Sequence, residues 1–193
     1  SEANLALPQA SGAEAPLLLP PVLAPERPRL LPDCLEPLLA RAAATAKLQG
    51  RLWHPPGSVP AVPVPAATVG EILANLLENA FRYSDPGGDL GLWITSERDH
   101  LQLAVWDSGP AIDVDERERI FRRGERGRHG AKLSGTGLGL ALARDQAEAS
   151  GGSLQLQIPA SALATGLPAA GNAFVLTLPL SSAAAASASR STA

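Results

Sequence analysis

The sequence predicts an α+β protein, a two-layer α/β sandwich in which a mixed, mostly antiparallel sheet is covered on one face by about three helices. Three observations predict it. Stretches with helical periodicity occur at Cys34–Gln49, Val69–Ser84 and Thr136–Ala149. Short runs with strand character occur at Leu90–Thr95, His100–Trp106, Ser153–Ile158 and Ala173–Leu180. The middle helical stretch has a single broad apolar face, which a sheet in a second layer can cover.

Composition bounds the problem. A chain of 193 residues suits one domain of ordinary size plus tails. The net charge of −3 argues against a nucleic-acid surface, which would be basic. Cys34 is the only cysteine, so no internal disulfide can form, and this fits a reducing, cytoplasmic setting. No apolar run reaches bilayer-spanning length, and no basic n-region of a signal peptide begins the chain. The sequence contains no methionine, from which we expect that it begins inside a longer protein.

Taken in order, residues 1–32 read as a Pro/Ala-rich linker, because prolines remove donors and hold their neighbours extended. A domain is expected over 33–181, followed by a low-complexity tail over 182–193 that is expected to be unstructured. Asp33 is the expected N-cap of the first helix, whose apolar positions are Leu35, Leu38, Leu39, Ala42 and Ala46, and Gly50 its stop. Arg51–His54 reads as a short strand halted by Pro55-Pro56-Gly57. Val59–Pro65 reads as extended, its prolines confining any strand to an edge. The second helix places Val69, Ile72, Leu73, Leu76, Leu77 and Ala80 on its apolar face. Asp85-Pro86-Gly87-Gly88 is a turn, and Ser96–Asp99 joins the two following strands. Asp113–Arg117 is expected to begin a short helical segment leading to Phe121. The stretch 159–172 exceeds a usual hairpin loop and reads as a disordered insertion between the last two strands.

The opposite face of the second helix carries the chemistry. Glu71, Asn75, Glu78, Asn79 and Arg82 fall in one narrow arc, because i+3, i+4, i+7 and i+8 align on a helix. Asparagine is a mediocre helix former, so two of them one turn apart look chosen for chemistry. Carboxamide oxygens are hard ligands suited to Mg²⁺, and an arginine suits phosphate. Asp107-Ser108-Gly109-Pro110-Ala111-Ile112 follows a strand. Its carboxylate can accept a hydrogen bond from an amino group, and Gly109 lets the backbone come close to a ligand. Gly135-Thr136-Gly137-Leu138-Gly139 opens the third helix, where free N–H groups and the helix dipole suit an anion. Between these lies a basic, glycine-rich loop, Arg122–Ser134, in which Arg123, Arg126 and Lys132 are candidate contacts to a terminal phosphate. We expect this loop to be mobile without nucleotide and ordered with it. Tyr83 can stack on a base, and Ile112 and Leu138 can line its pocket.

In order, these stretches resemble the N-box, first glycine box, F-box (Arg119-Ile120-Phe121-Arg122-Arg123) and second glycine box of the catalytic ATP-binding domain of sensor histidine kinases. That is the HATPase_c domain of the GHKL superfamily, with the Bergerat fold. The resemblance covers roughly Leu35 to Leu180. It implies ATP and Mg²⁺ as ligands, with Asn79 the main metal ligand, Asn75 an auxiliary one and Arg82 a phosphate contact. It places Glu78 where many relatives carry an acid suspected of acting as a base, and Asp107 on the adenine amino group. One departure is Ala111, which stands where the first glycine box usually has a second glycine.

The resemblance further implies transfer of the γ-phosphoryl group to a histidine. His54, His100 and His129 do not lie on an amphipathic helix followed by an acid, so the phosphoacceptor is expected on an upstream dimerisation domain. A response regulator is then an indirect partner. A stand-alone serine kinase of the anti-sigma type, or a nucleotide-sensing module without turnover, are the rival readings.

Overall fold

The computed structural model describes residues 26–122, 124 and 139–181. Five strands form one mixed sheet in the order β2 (Trp53–His54), β4 (Leu90–Glu97), β5 (His100–Asp107), β7 (Asn172–Pro179), β6 (Ser153–Gln157). Only β2 and β4 run parallel; the other three pairs are antiparallel. Three helices, α1 (Leu31–Gln49), α2 (Ala66–Tyr83) and α3 (Gly139–Ala149), bury their apolar faces with one face of this sheet. The alternation of strand residues decides which face that is: Leu101, Leu103 and Val105 of β5 point to the helices, as do Phe174, Leu176 and Leu178 of β7. This is the sandwich expected from the sequence.

Helix α2 is the centre of the core. Val69, Ile72, Leu73, Leu76, Leu77 and Ala80 are all buried, as its periodicity requires. Truncating a fully buried leucine such as Leu73 or Leu76 removes about 2–5 kcal/mol, a large share of a small domain's stability.

Structure begins earlier than the linker reading placed it. β1 (Pro28–Leu30) pairs antiparallel with β3 (Pro63–Pro65), forming a two-stranded ribbon apart from the main sheet. The prolines are tolerated because a two-stranded ribbon is all edge. Helix α1 then starts at Leu31, with Leu30 rather than Asp33 at its N-cap and no side chain capping it. Pro32 sits in the first turn, where its missing N–H costs nothing, and Leu31 is fully buried. Gly50 ends α1 in the left-handed conformation (φ 65°), as its sequence position suggested. Helix α2 also lacks a cap of its own, Pro65 being its N-cap residue. Glu26 supplies one from the incoming segment, accepting bonds from the Ala67 and Thr68 N–H groups and, at 3.0 Å, from Thr68 Oγ1.

Two further expectations are corrected. Residues 114–118 form turns, and the short helical piece is a 3₁₀ turn at Arg119–Phe121. The stretch 159–172, expected to be a disordered insertion, is built into the fold. It contains a 3₁₀ turn at Ala160–Ala162. Ala160 is fully buried, and Leu163 and Leu167 pack with it against Ala104, Trp106, Ala173, Val175 and Trp93. The segment therefore covers the sheet face that the helices leave open. The basic loop and the second glycine box, apart from Arg122, Gly124 and Gly139, lie outside the described residues.

Candidate nucleotide site

Asp107 ends β5 on the helix-facing side of the sheet and is 7% exposed. Its Oδ1 accepts two hydrogen bonds, from Gly109 N–H at 2.9 Å and from Asn172 Nδ2 at 3.3 Å. Burial pushes its pKa up, opposed by these two bonds and by the Arg51 guanidinium; Asp85 adds a smaller upward push. Both described bonds fall on Oδ1, so the lone pairs of Oδ2 are left for a ligand donor. Gly109 packs closely here: a Cβ there would lie 3.1 Å from Asp107 Oδ1 and 3.3 Å from the Asp85 backbone nitrogen, a tight fit.

Two residues that sequence reasoning missed build this corner. Asn172 opens β7 directly opposite Asp107 in the register and is 4% exposed. Besides its bond to Asp107, it donates to Pro110 O (2.9 Å) and accepts from Ile112 N–H (2.9 Å). Arg51, 7% exposed, donates through Nε to Gly88 O (3.0 Å) and through Nη2 to Ser84 Oγ (2.6 Å). It thereby ties the end of α1 to the turn that follows α2. Burial lowers its pKa, while Asp107, Asp85 and Asp89 pull it up. A buried arginine following the Gly50 stop was the one available signal; Asn172 gave none, since its partners are 60 or more residues away.

The N-box residues lie on α2. Asn75 and Asn79 are half-buried. Asn75 faces the start of α3: a Cβ at Gly139 would sit 3.6 Å from Asn75 Oδ1. Asn75 of the N-box thus lies beside the last glycine of the second glycine box. Glu78 and Arg82 form an i,i+4 ion pair of 2.9 Å, the glutamate 64% exposed. Both also line an open groove of about 410 Å³ between α1 and α2. Tyr83 is half-buried at the end of α2, and Ile112 is half-buried against the core. Phe121 of the F-box is buried, edge-on to Phe174 (6.0 Å), with the Arg144 guanidinium 4.5 Å from its ring centre. Arg123, Arg126, Lys132, Gly135, Thr136, Gly137 and Leu138 fall outside the described residues.

The donor set fits the expected ligands. A buried carboxylate with one oxygen unbonded among the described residues suits an amino group on a base, and two carboxamides one helical turn apart suit a hard divalent cation. No helix among the described residues is long and apolar enough to cross a membrane. Among them, too, no cluster of three or more His, Cys, Asp or Glu side chains could hold a metal.

The fold is a two-layer α/β sandwich with a buried polar corner at the end of β5. The family model described as "Histidine kinase-, DNA gyrase B-, and HSP90-like ATPase" matches residues 66–182, more than half of the chain, and the chain belongs to that family. Among curated proteins, it is 36% identical over 93 residues to the sensor histidine kinase Hik2 of Thermosynechococcus vestitus, a match covering 47% of this chain and 24% of that protein. The chain thus spans about a quarter of that relative's length. Among solved structures, the mycobacterial sensor histidine kinase MprB superposes with a TM-score of 0.60 at 24% identity, covering 79% of this chain and 97% of that one. The catalytic domain of histidine kinase ThkA superposes with a TM-score of 0.65 at 20% identity, covering 79% and 94%. At these identities the two superpositions establish the shared fold.

Proposed function

We propose that this chain is the ATP-binding catalytic domain of a two-component sensor histidine kinase. The observation that carries the proposal is Asp107, held buried with no bond to its Oδ2 among the described residues, in a chain whose Asn75, one turn before Asn79 on α2, lies beside the start of α3. The curated relative's name supports the histidine kinase reading over other ATPases.

In this reading Asp107 accepts a hydrogen bond from the adenine amino group, and Gly109 and Ile112 wall the base. Asn79 and Asn75 hold Mg²⁺, which neutralises phosphate charge when bound. Arg82 contacts phosphate and is held meanwhile by Glu78. The bond broken joins the γ-phosphorus to the β–γ bridging oxygen. The bond formed joins that phosphorus to an imidazole nitrogen, and ADP leaves. Glu78 is placed to take the imidazole proton only if it leaves Arg82. The acceptor belongs to an upstream dimerisation domain, with a response regulator as the later recipient and the cytoplasm as the compartment. The described histidines of this chain do not suit the role. His54 bonds Asp89 (3.0 Å) and lies against Trp106, and His100 bonds Asp99 (2.9 Å), both from strands.

The test is to append the natural upstream sequence and incubate with ATP radiolabelled at the γ-phosphate. The expected product is an acid-labile, base-stable phosphohistidine on the upstream segment. An acid-stable label on a separate protein would favour the serine kinase reading. Nucleotide binding without any label would favour a sensing module.

A further inference from the structure

The three hydrogen bonds of Asn172 form a pattern that the nucleotide-binding reading does not require. One carboxamide joins the end of β5, the loop after it and the start of β7. Its Nδ2 donates to Asp107 Oδ1 and to Pro110 O, and its Oδ1 accepts from Ile112 N–H. A carboxamide has two donor hydrogens and an acceptor oxygen, and here both kinds of group are engaged. Asn172 is itself 4% exposed and its bond to Asp107 is buried, so that bond is costly to lose; the bonds to Pro110 and Ile112 are partly buried. The backbone before it is adapted to the contact. Gly171 has φ 102°, and a Cβ there would fall 1.8 Å from the Asp107 carbonyl oxygen, so only glycine lets β7 enter this close.

We propose that Asn172 is a positioning residue for base recognition: it fixes the Asp107 carboxylate with Oδ1 occupied and holds the Gly109–Ile112 loop as the wall of the base site. The proposal rests on the nucleotide-binding reading and extends it to the selectivity of the site. With Oδ1 occupied by two donors, the carboxylate offers Oδ2 as a fixed acceptor. Such an acceptor favours a purine with an amino group at the 6-position and repels one with a carbonyl oxygen there. Without Asn172, the carboxylate loses one of the two bonds holding its orientation, and the Pro110 and Ile112 backbone groups lose their partner. The groups facing Asp107 are Arg51 from the segment after α1, Asp85 from the turn after α2, Gly109 from its own loop and Asn172 from β7. Among the described residues, only Asn172 hydrogen-bonds both the carboxylate and the far end of the loop. Ala111, in place of a second glycine, sits in this same loop, between the two backbone groups that Asn172 holds.

Calorimetric titration of the chain with ADP and with inosine diphosphate, each with Mg²⁺, tests this. The parent should prefer ADP. Asn172→Ala should weaken ADP about tenfold, as expected for losing a hydrogen bond to a charged group, and inosine diphosphate much less, so that the preference collapses. Asn172→Asp keeps the shape and the acceptor for Ile112 N–H but loses the donors to Asp107 and Pro110. It should lose the preference as well, and its ADP affinity should begin to fall at a higher pH than the parent's, because a second carboxylate beside Asp107 disfavours ionisation of the pair. If Asn172→Ala does not fold, as judged by its thermal transition, Asn172→Asp carries the test. Equal losses for both nucleotides in both variants would show that Asn172 only stabilises the fold, and would overturn the proposal. Failure of the parent to bind ADP would instead overturn the nucleotide-binding reading on which it rests.

Discussion

The two ends of the proposed nucleotide site, a base end at Asp107 and a metal end at Asn75 and Asn79, are built differently. At the base end, Asp107, Asn172 and Arg51 are buried; Asn172 donates to Asp107, and Arg51 is tied to Gly88 and Ser84 while its charge acts on Asp107. At the metal end, Asn75 and Asn79 are half-buried on one helix, and Glu78 and Arg82 are paired with one another at the surface. The first arrangement is fixed before any ligand arrives; the second has side chains whose partners a ligand can replace. A buried network with one acceptor held open discriminates because a mismatched group has nowhere to find compensation. An exposed pair can be exchanged at little cost, because such ion pairs contribute little to stability. On this account, recognition of the base and handling of the phosphates are separate tasks performed by regions of different stiffness.

The largest expected effect comes from breaking the base end. Asp107→Asn should weaken ADP by about 1–3 kcal/mol, since it replaces an acceptor facing the base with a group that can also donate. The same variant should raise the thermal stability of the nucleotide-free protein near neutral pH. The sign follows from linkage. Burial raises the Asp107 pKa, so its contribution to stability is present below the ordinary carboxylate value and is lost as pH rises through the raised value. An uncharged amide does not suffer that loss, and the gain should vanish in acid. A variant that lost binding and stability together would mean that Asp107 serves the fold rather than the ligand.

An intermediate effect is expected at the metal end. Asn79→Ala should abolish the Mg²⁺-dependent part of ADP affinity with little change in thermal stability, because Asn79 is only half-buried. Unchanged Mg²⁺ dependence would remove Asn79 from the metal site. The smallest effect belongs to Glu78→Gln. Its exposed pair with Arg82 should contribute only about 0.3–0.5 kcal/mol to stability, screened by salt. A loss well beyond that, read by chemical denaturation, would make the metal end as stiff as the base end and break the comparison.

The legibility of the two ends in the sequence differs for the same reason. Helix α2 with its asparagines could be read directly, because a 3.6-residue period places Asn75, Glu78, Asn79 and Arg82 on one side without reference to anything else. β4 and β5 were legible from their alternation and the short turn between them. Asn172 was not, because its role exists only through the register of β7 against β5. The covering segment at 159–171 was likewise misread. Ala160, Leu163 and Leu167 are buried or half-buried on irregular backbone, so no period betrays them. The early start of the fold at β1 was hidden by prolines, which a two-stranded ribbon tolerates and a central strand would not.

The central claim is that the base end is preformed and independent of the metal end. Amide chemical-shift mapping tests it most directly, with adenosine alone and then with ADP and Mg²⁺. The account predicts that millimolar adenosine shifts residues 107–112 and 171–172 while leaving Asn75 and Asn79 in place, and that ADP with Mg²⁺ shifts both groups. No shifts at millimolar nucleotide, or movement of both groups with adenosine alone, would contradict it.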